Sequence, residues 1–313
     1  MLHLRVVSPT GKTDEVLRML RDQPGSTHLV LLPGVALSPE GDVIEADVAR
    51  EAADDVLERL GELHIDHEGA ITLEQLDTAL SDAADEAEKA APGDGADAVV
   101  LQELLARTGE DAKLNLTYLA FLSIACLLAA VGVVTDSPVT IVGAMVLGPE
   151  FGPLAAISVG LVRRRRDLTR RAMVALVVGF AVAMLVTAVG TVLGETAGLF
   201  SADALRGEHQ VDFVYEVGVF SLIVALLAGA AGMLAMTSAK SASLVGVFIS
   251  VTTVPAAGYA AAAAVLGQWS QCASSLGQLV VNLIGIVLAA ALVLLLRKRA
   301  WRRSATDRPL PVS

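Results

Sequence analysis

Short apolar runs alternate with helical periodicity over the first seventy residues. Leu2 to Ser8 reads as a first strand, with Val6 and Val7 in it, and Val16, Leu17 and Leu20 then line one face of a helix. Leu29-Val30-Leu31-Leu32 is expected to be a buried strand, followed by a turn at Ser38-Pro39-Glu40-Gly41 and a strand through Val43 and Ile44. Ala49, Ala52, Ala53, Val56, Leu57 and Leu60 recur at three and four, which puts one stripe of a second helix against a sheet. Gly61 and Gly69 bracket its exit, and Ala70-Ile71-Thr72 reads as the last strand.

The pattern then changes. An acidic helix is expected from Leu73 to Lys89, ending at the linker Pro92-Gly93-Asp94-Gly95. Val100, Leu101, Leu104 and Leu105 predict a short amphipathic helix near Gly109, lying along a membrane surface or on the soluble part itself. Six apolar stretches follow: Leu114–Val134, Pro138–Val162, Ala172–Leu193, Val217–Met236, Ala242–Leu266 and Leu276–Leu296. Each has about 20 to 25 residues, enough to cross a hydrocarbon core of ~30 Å at 1.5 Å per residue. The expected organisation is a soluble domain over 1–90, a linker and interfacial helix over 91–113, six spans over 114–300 and a tail over 301–313.

Composition agrees with this division. Of 313 residues 54% are hydrophobic and 18% charged, with mean hydropathy +0.62, too apolar for a soluble chain of this length. The net charge of −11 is a sum of unlike parts. Residues 1–113 hold 25 Asp+Glu against 9 Lys+Arg, and residues 114–313 hold 9 against 14. An acidic soluble module excludes nucleic acid as a partner, because phosphates would repel it. Cys126 and Cys272 are too far apart in sequence and too apolar in setting for a zinc site or a disulfide framework. Met1-Leu2-His3-Leu4-Arg5 lacks the basic-then-apolar pattern of a signal peptide.

Arg163, Arg164, Arg165, Arg166, Arg170 and Arg171 fall between spans two and three, Lys240 between four and five, and Arg297, Lys298, Arg299, Arg302 and Arg303 after span six. The alternate loops hold only Arg206. These cations are topology anchors, and they predict a multi-pass inner-membrane protein with both termini cytoplasmic. Tyr118, Phe121, Phe213, Tyr215, Trp269 and Trp301 fall at expected interfacial positions.

Two local patterns in the soluble part are discounted. Gly11-Lys12-Thr13 resembles the end of a phosphate-binding loop, but the first glycine would stand at position 6, which is Val6. His64-Ile65-Asp66-His67-Glu68 has metal-ligand chemistry but comes from a single short segment, so neither a metal nor a cofactor is expected.

The candidate chemistry lies in spans two and five. Gly148, Pro149, Glu150, Gly152 and Pro153 interrupt span two at its centre, and Pro255 interrupts span five. These are the second helices of two successive triplets, which is the layout of a 3+3 inverted repeat with paired broken helices around a midplane site. A carboxylate so deep must face a cavity, carry a proton or pair with a cation, or else serve as an acceptor for the free amides around Gly152. Ser250, Thr252, Thr253 and Asn282 are candidate hydroxyl and amide ligands. Asp136 and Ser137 before Pro138 read as the start of span two, with Ser137 as its cap. No His-Glu-x-x-His pattern, paired intramembrane aspartate or Gly-x-Ser-x-Gly elbow occurs in the spans, so an enzyme is not expected.

Two resemblances follow. The βαββαβ order is that of a ferredoxin-like unit and resembles the ACT-type regulatory domains, which implies a small effector or contacts between copies of the chain. Thr135-Asp136-Ser137-Pro138, Gly143-Ala144-Met145, Gly148-Pro149 and Gly152-Pro153, with the later Pro255 and Asn282, resemble the bacterial membrane family called domain of unknown function 389 over roughly residues 110–300. The expected protein is an α+β domain joined to an all-α membrane domain, embedded in lipid as a homo-oligomer. Its expected function is a transporter or channel for a small solute or ion, tuned by the soluble domain. The alternative is a sensor or scaffold that does not transport.

Overall fold

The computed structural model describes residues 1–76, 78–91, 104–105, 108–110, 112–201, 205, 218–237 and 253–306, with no side chains described beyond Arg297. It divides into two compact units, one built on Met1–Leu104 and one built mainly on Leu105–Met236 and Ser241–Arg299.

The first unit is a four-stranded antiparallel sheet with helices. Strands β1 (Leu2–Ser8), β2 (Ser26–Leu37), β3 (Glu40–Val48) and β4 (Ala70–Gln75) stand in the order β2-β3-β1-β4, with every neighbouring pair antiparallel. Helices α1 (Thr13–Arg21) and α2 (Ala53–Glu62) form the two crossovers, a split βαβ plan. The even-numbered residues of β1 and β3 explain the layering: Leu4, Val6, Ile44, Ala46 and Val48 bury against Val16, Leu20, Ala52, Val56 and Leu60. A one-turn helix α3 (Ile65–Glu68) plugs Ile65 into the same core. Lys12 donates to the Leu63 carbonyl at 2.8 Å and pairs with Glu68 at 2.8 Å, so the two discounted motifs fasten α1 to the α2–α3 turn.

Two expectations change here. Leu29–Leu32 is not a buried strand but part of the 12-residue edge strand β2, where Val30, Leu31, Leu32 and Leu37 remain exposed. The segment from Leu73 does not begin a helix: Leu73 and Gln75 pair with Leu4 and Leu2, and helix α4 runs only over Asp82–Ala90. The ladder hydrogen bonds of β1 claim those residues, and Ser81 in extended conformation starts α4 afresh. The linker over 92–95 and most of the amphipathic segment, apart from Leu104 and Leu105, lie outside the described residues.

The odd-numbered side of β1 and β3 carries His3, Arg5, Glu45 and Asp47 beside Val7 and Val43. Asp47 accepts hydrogen bonds from the ring nitrogens of His3 at 2.8 Å and His28 at 2.7 Å, and His28 also bonds Ser81 at 2.9 Å. Burial pushes the Asp47 carboxyl up, while the bonds and charges of His28 and His3 pull it down and prevail, leaving it below its ordinary value. Such a group stabilises the fold above its unfolded value, and the contribution is lost as pH falls through the folded value. Asp47→Asn is therefore expected to destabilise the first unit by about 1 kcal/mol at neutral pH. The difference should shrink as pH falls below the ordinary aspartate range, as read by pulse proteolysis of the full-length chain in urea.

The second unit is helical. Four helices are long and apolar enough to cross a membrane: α5 (Leu116–Val134), α8 (Arg166–Thr196), α9 (Val219–Thr237) and α11 (Trp269–Thr306), the last apolar as far as Arg297. Helices α6 (Pro138–Leu147) and α7 (Phe151–Val162) form a pair bent by 54°, which makes a fifth span if counted as one. Helix α10 (Val254–Val265) has 12 residues. The outward side chains are apolar, among them Ile124, Val131, Leu185, Val189, Leu227, Ile284 and Leu288, as a surface facing lipid requires. The chain is a multi-pass membrane protein of four to five described spans. Residues 238–252, with Lys240 and the first half of the expected fifth span, lie outside the described residues. Arg206, Phe213 and Tyr215 do so too, and the side chains of Lys298, Arg299, Trp301, Arg302 and Arg303 are not described.

Local sequence accounts for the helix ends. Ser137 caps α6 by accepting from the Thr140 amide at 3.3 Å, with Pro138 in the first turn, as expected. Asn115 caps α5 in the same way, accepting from the Tyr118 amide at 2.7 Å. Helix α8 starts at Arg166, six residues before the apolar stretch, so Arg166, Arg170 and Arg171 sit on its first turns and Arg163, Arg164 and Arg165 in the turn before it. The interfacial aromatics divide: Phe121 and Trp269 are exposed, while Tyr118 is buried against α8, where a Cβ on Gly179 would lie 2.6 Å from its ring.

Candidate functional site

Gly148, Pro149 and Glu150 form the break between α6 and α7. Pro149 has no amide hydrogen to continue the α6 ladder, whereas Pro153 falls in the first turn of α7, where a missing donor is harmless. Gly152 shares that turn. Glu150 occupies the N-cap position of α7 and is fully buried.

The second interruption meets it there. Thr253, also fully buried, is the N-cap residue of α10 with Pro255 in the first turn, and its hydroxyl donates to Glu150 Oε1 at 2.5 Å. Ten consecutive residues, Val254 to Ala263, are buried, and so is α7 from Pro153 to Gly160. Neither half-helix has a lipid-facing stripe along those turns. From the junction α10 runs back beside α6, with Tyr259, Ala260 and Ala263 packed in one cluster with Ile141, Met145 and Val133.

Gly258 lets α10 lie on α5. A Cβ there would be 2.7 Å from the Cys126 carbonyl oxygen and 2.7 Å from the Ala129 Cβ. This close crossing brings the carboxylate within electrostatic reach of Cys126 and Tyr118. Two helix N-termini thus meet at one acidic side chain. Each carries roughly half a positive elementary charge, so together they can offset about one carboxylate charge. Such an arrangement can hold a carboxylate in an apolar bundle, pass a proton through it, or exchange it for another anion.

Asn282 stands in a second polar group, where its Oδ1 accepts from the Ser221 hydroxyl of α9 at 3.0 Å. Gln278 Nε2 donates to the same hydroxyl oxygen. Ser250 and Thr252 lie outside the described residues. Tyr118, Cys126, Gly258, Ser221 and Gln278 are the additions that the folded chain makes to the candidates. For Gln278 a signal was present, because an amide four residues before Asn282 lies on the same helix face inside an apolar span.

The family described as Domain of unknown function (DUF389) matches the chain over residues 145–288, a stretch that runs from the end of α6 through Glu150, Thr253 and Asn282. No curated protein and no solved structure matches the chain.

Proposed function

We propose that this chain is a transporter or channel for a small ion or solute, with the Glu150–Thr253 junction as its intramembrane site. The observation that carries the reading is the meeting of two buried half-helices, head to head, at a carboxylate. Interrupted helices inside a lipid-embedded bundle are tolerated where protein or a watery cavity satisfies the freed backbone, and such breaks characteristically hold ions or substrates. The shared length of α7 and α10, and their opposite courses from the junction, support a 3+3 inverted repeat of six spans. The arginine turn at Arg163–Arg166 supports cytoplasmic termini in a bacterial inner membrane. In this reading the sheet domain is an ACT-like regulator that takes a small effector. Reconstituted protein is expected to carry a pH- or cation-dependent flux in proteoliposomes. Absence of flux across a broad panel of ions and small solutes, with folded protein, overturns the reading.

A second reading, a sensor or scaffold that assembles through its soluble domain, is favoured by one observation. Among the described residues strand β2 is an unpaired sheet edge with Val30, Leu31, Val35 and Leu37 exposed, which suits a second copy of the chain. A protein that carries no flux, yet whose oligomer dissociates when Leu31 and Leu37 are replaced by lysine, decides for it.

A further inference from the structure

Helix α11 carries a second polar feature that the Glu150 junction does not use. Gln271, Ser275, Gln278 and Asn282 follow one another at intervals of four, three and four, so they share one face and span about 16 Å of the helix axis. Ser275 and Asn282 are fully buried, and Gln278 is 3% exposed. The stripe covers the first half of the membrane-crossing part of α11, from near Trp269 to near its middle.

Its hydrogen bonding is incomplete in a specific sense. Gln271 Nε2 donates to the Leu205 carbonyl at 3.4 Å, and Gln278 Nε2 donates to Ser221, so both amide nitrogens are engaged. Gln271 Oε1, Ser275 Oγ and Gln278 Oε1 are buried and make no hydrogen bond among the described residues. A buried acceptor without a donor costs about 1–3 kcal/mol, and hydrocarbon offers no relief from outside the bundle. The missing ligand must therefore bring positive charge or donated protons. Neutral oxygens without a carboxylate suit a monovalent metal cation, since divalent ions recruit carboxylates and carbonyl oxygens can replace the hydration shell of an alkali ion. Among the described residues no cluster of His, Cys, Asp and Glu suits a metal, which leaves the uncharged stripe as a distinct kind of site.

We infer that α11 binds an alkali-metal cation between Ser275 Oγ and Gln278 Oε1, with Gln271 Oε1 as a preceding position two turns from Gln278 on the ion's path. The inference does not depend on the chemistry of Glu150. Because binding is read without flux, bound cation with no transport would overturn only the function proposed above.

The test uses the full-length protein in nanodiscs. Equilibrium binding of radioactive sodium and rubidium is measured, and thermal unfolding is followed in lithium, sodium, potassium or rubidium chloride against N-methyl-D-glucamine chloride at equal ionic strength. Saturable binding of at least one alkali ion is expected, with a matching rise in the unfolding temperature. Ser275→Ala combined with Gln278→Leu is expected to weaken it tenfold or more, and Ser275→Thr to preserve it. Gln278→Glu keeps the oxygen and adds charge, so it is expected to tighten binding tenfold or more. No saturable binding of any of the four ions, a site that holds only water, overturns the inference. So does an affinity unchanged in both the double variant and Gln278→Glu. If the double variant does not fold, Gln278→Glu alone decides.

Discussion

Glu150→Gln is expected to leave the chain folded and to reduce flux through the reconstituted protein at least tenfold. The substitution keeps an oxygen for the Thr253 hydroxyl, which donates to Glu150 Oε1 at 2.5 Å, and it keeps the side-chain volume at a fully buried position. What it removes is the charge and the exchangeable proton. Losing a buried charge is commonly neutral or favourable for stability, but here the two helix N-termini also lose the anion they offset, so the net change in unfolding temperature should be small. A tenfold loss corresponds to about 1.4 kcal/mol, modest for a group at the centre of a pathway. The discriminating readout is pH. Wild-type flux should vary with pH as the carboxyl titrates, and the glutamine protein should give a flat profile over the same range. A glutamine protein with wild-type flux and an unaltered profile would remove Glu150 from the mechanism. Thr253→Val is the companion variant: it strips the donor from the same oxygen and should cost about 1–3 kcal/mol of stability.

The second large effect is structural. Gly258→Val should prevent assembly of the helical unit, because its Cβ would meet the Cys126 carbonyl oxygen and the Ala129 Cβ, both at 2.7 Å. Neither neighbour is the end of a flexible side chain, so α10 must lift away from α5, and Thr253 goes with it. The cost is about 3 kcal/mol or more, beyond ordinary overpacking, and it should appear as loss of the monodisperse peak in size-exclusion chromatography. Gly143→Ala in α6 is the control. Among the described residues its Cβ would have only the tip of Leu128 nearby, at 3.9 Å, so the helix should gain slightly from the better helix former. If both variants behave alike, the close crossing at Gly258 is not what holds α10.

These residues differ in how legible they are from sequence. Pro149, Pro153 and Pro255 announce interruptions because a proline acts on its own backbone, and Glu150 is conspicuous as a charge in an apolar run. The βαββαβ order could be read for the same reason, from local periodicity and turn residues, and strand β1 lies where its alternation placed it. Burial was harder. Leu29–Leu32 has the apolar run of a central strand, but an edge position depends on which strand pairs with β3, a fact absent from the segment itself. Leu73 would suit a helix as well as a strand, and only its pairing with Leu4 decides. Tyr118 looks interfacial by its place at the start of a span, yet the space opened by Gly179, sixty-one residues later, takes the ring inside. In the same way Thr253 is one of several hydroxyl residues near Pro255 until the fold brings it to Glu150 from 103 positions away.

The two half-helices also set an electrical distance. Helix α7 leads from Glu150 to the arginine turn in 12 residues, about 18 Å of axis, and α6 leads to Glu150 from Ser137 in 10, about 15 Å. The junction therefore lies near the middle of the bent pair, whose two arms together suit a hydrocarbon layer of ~30 Å. In the proposed transporter an ion drawn to it from either side would fall through about half the membrane potential, worth roughly 1 kcal/mol per 100 mV for one charge. Its occupancy would then change several-fold per 100 mV, so voltage, as much as concentration, would govern how often the junction is filled.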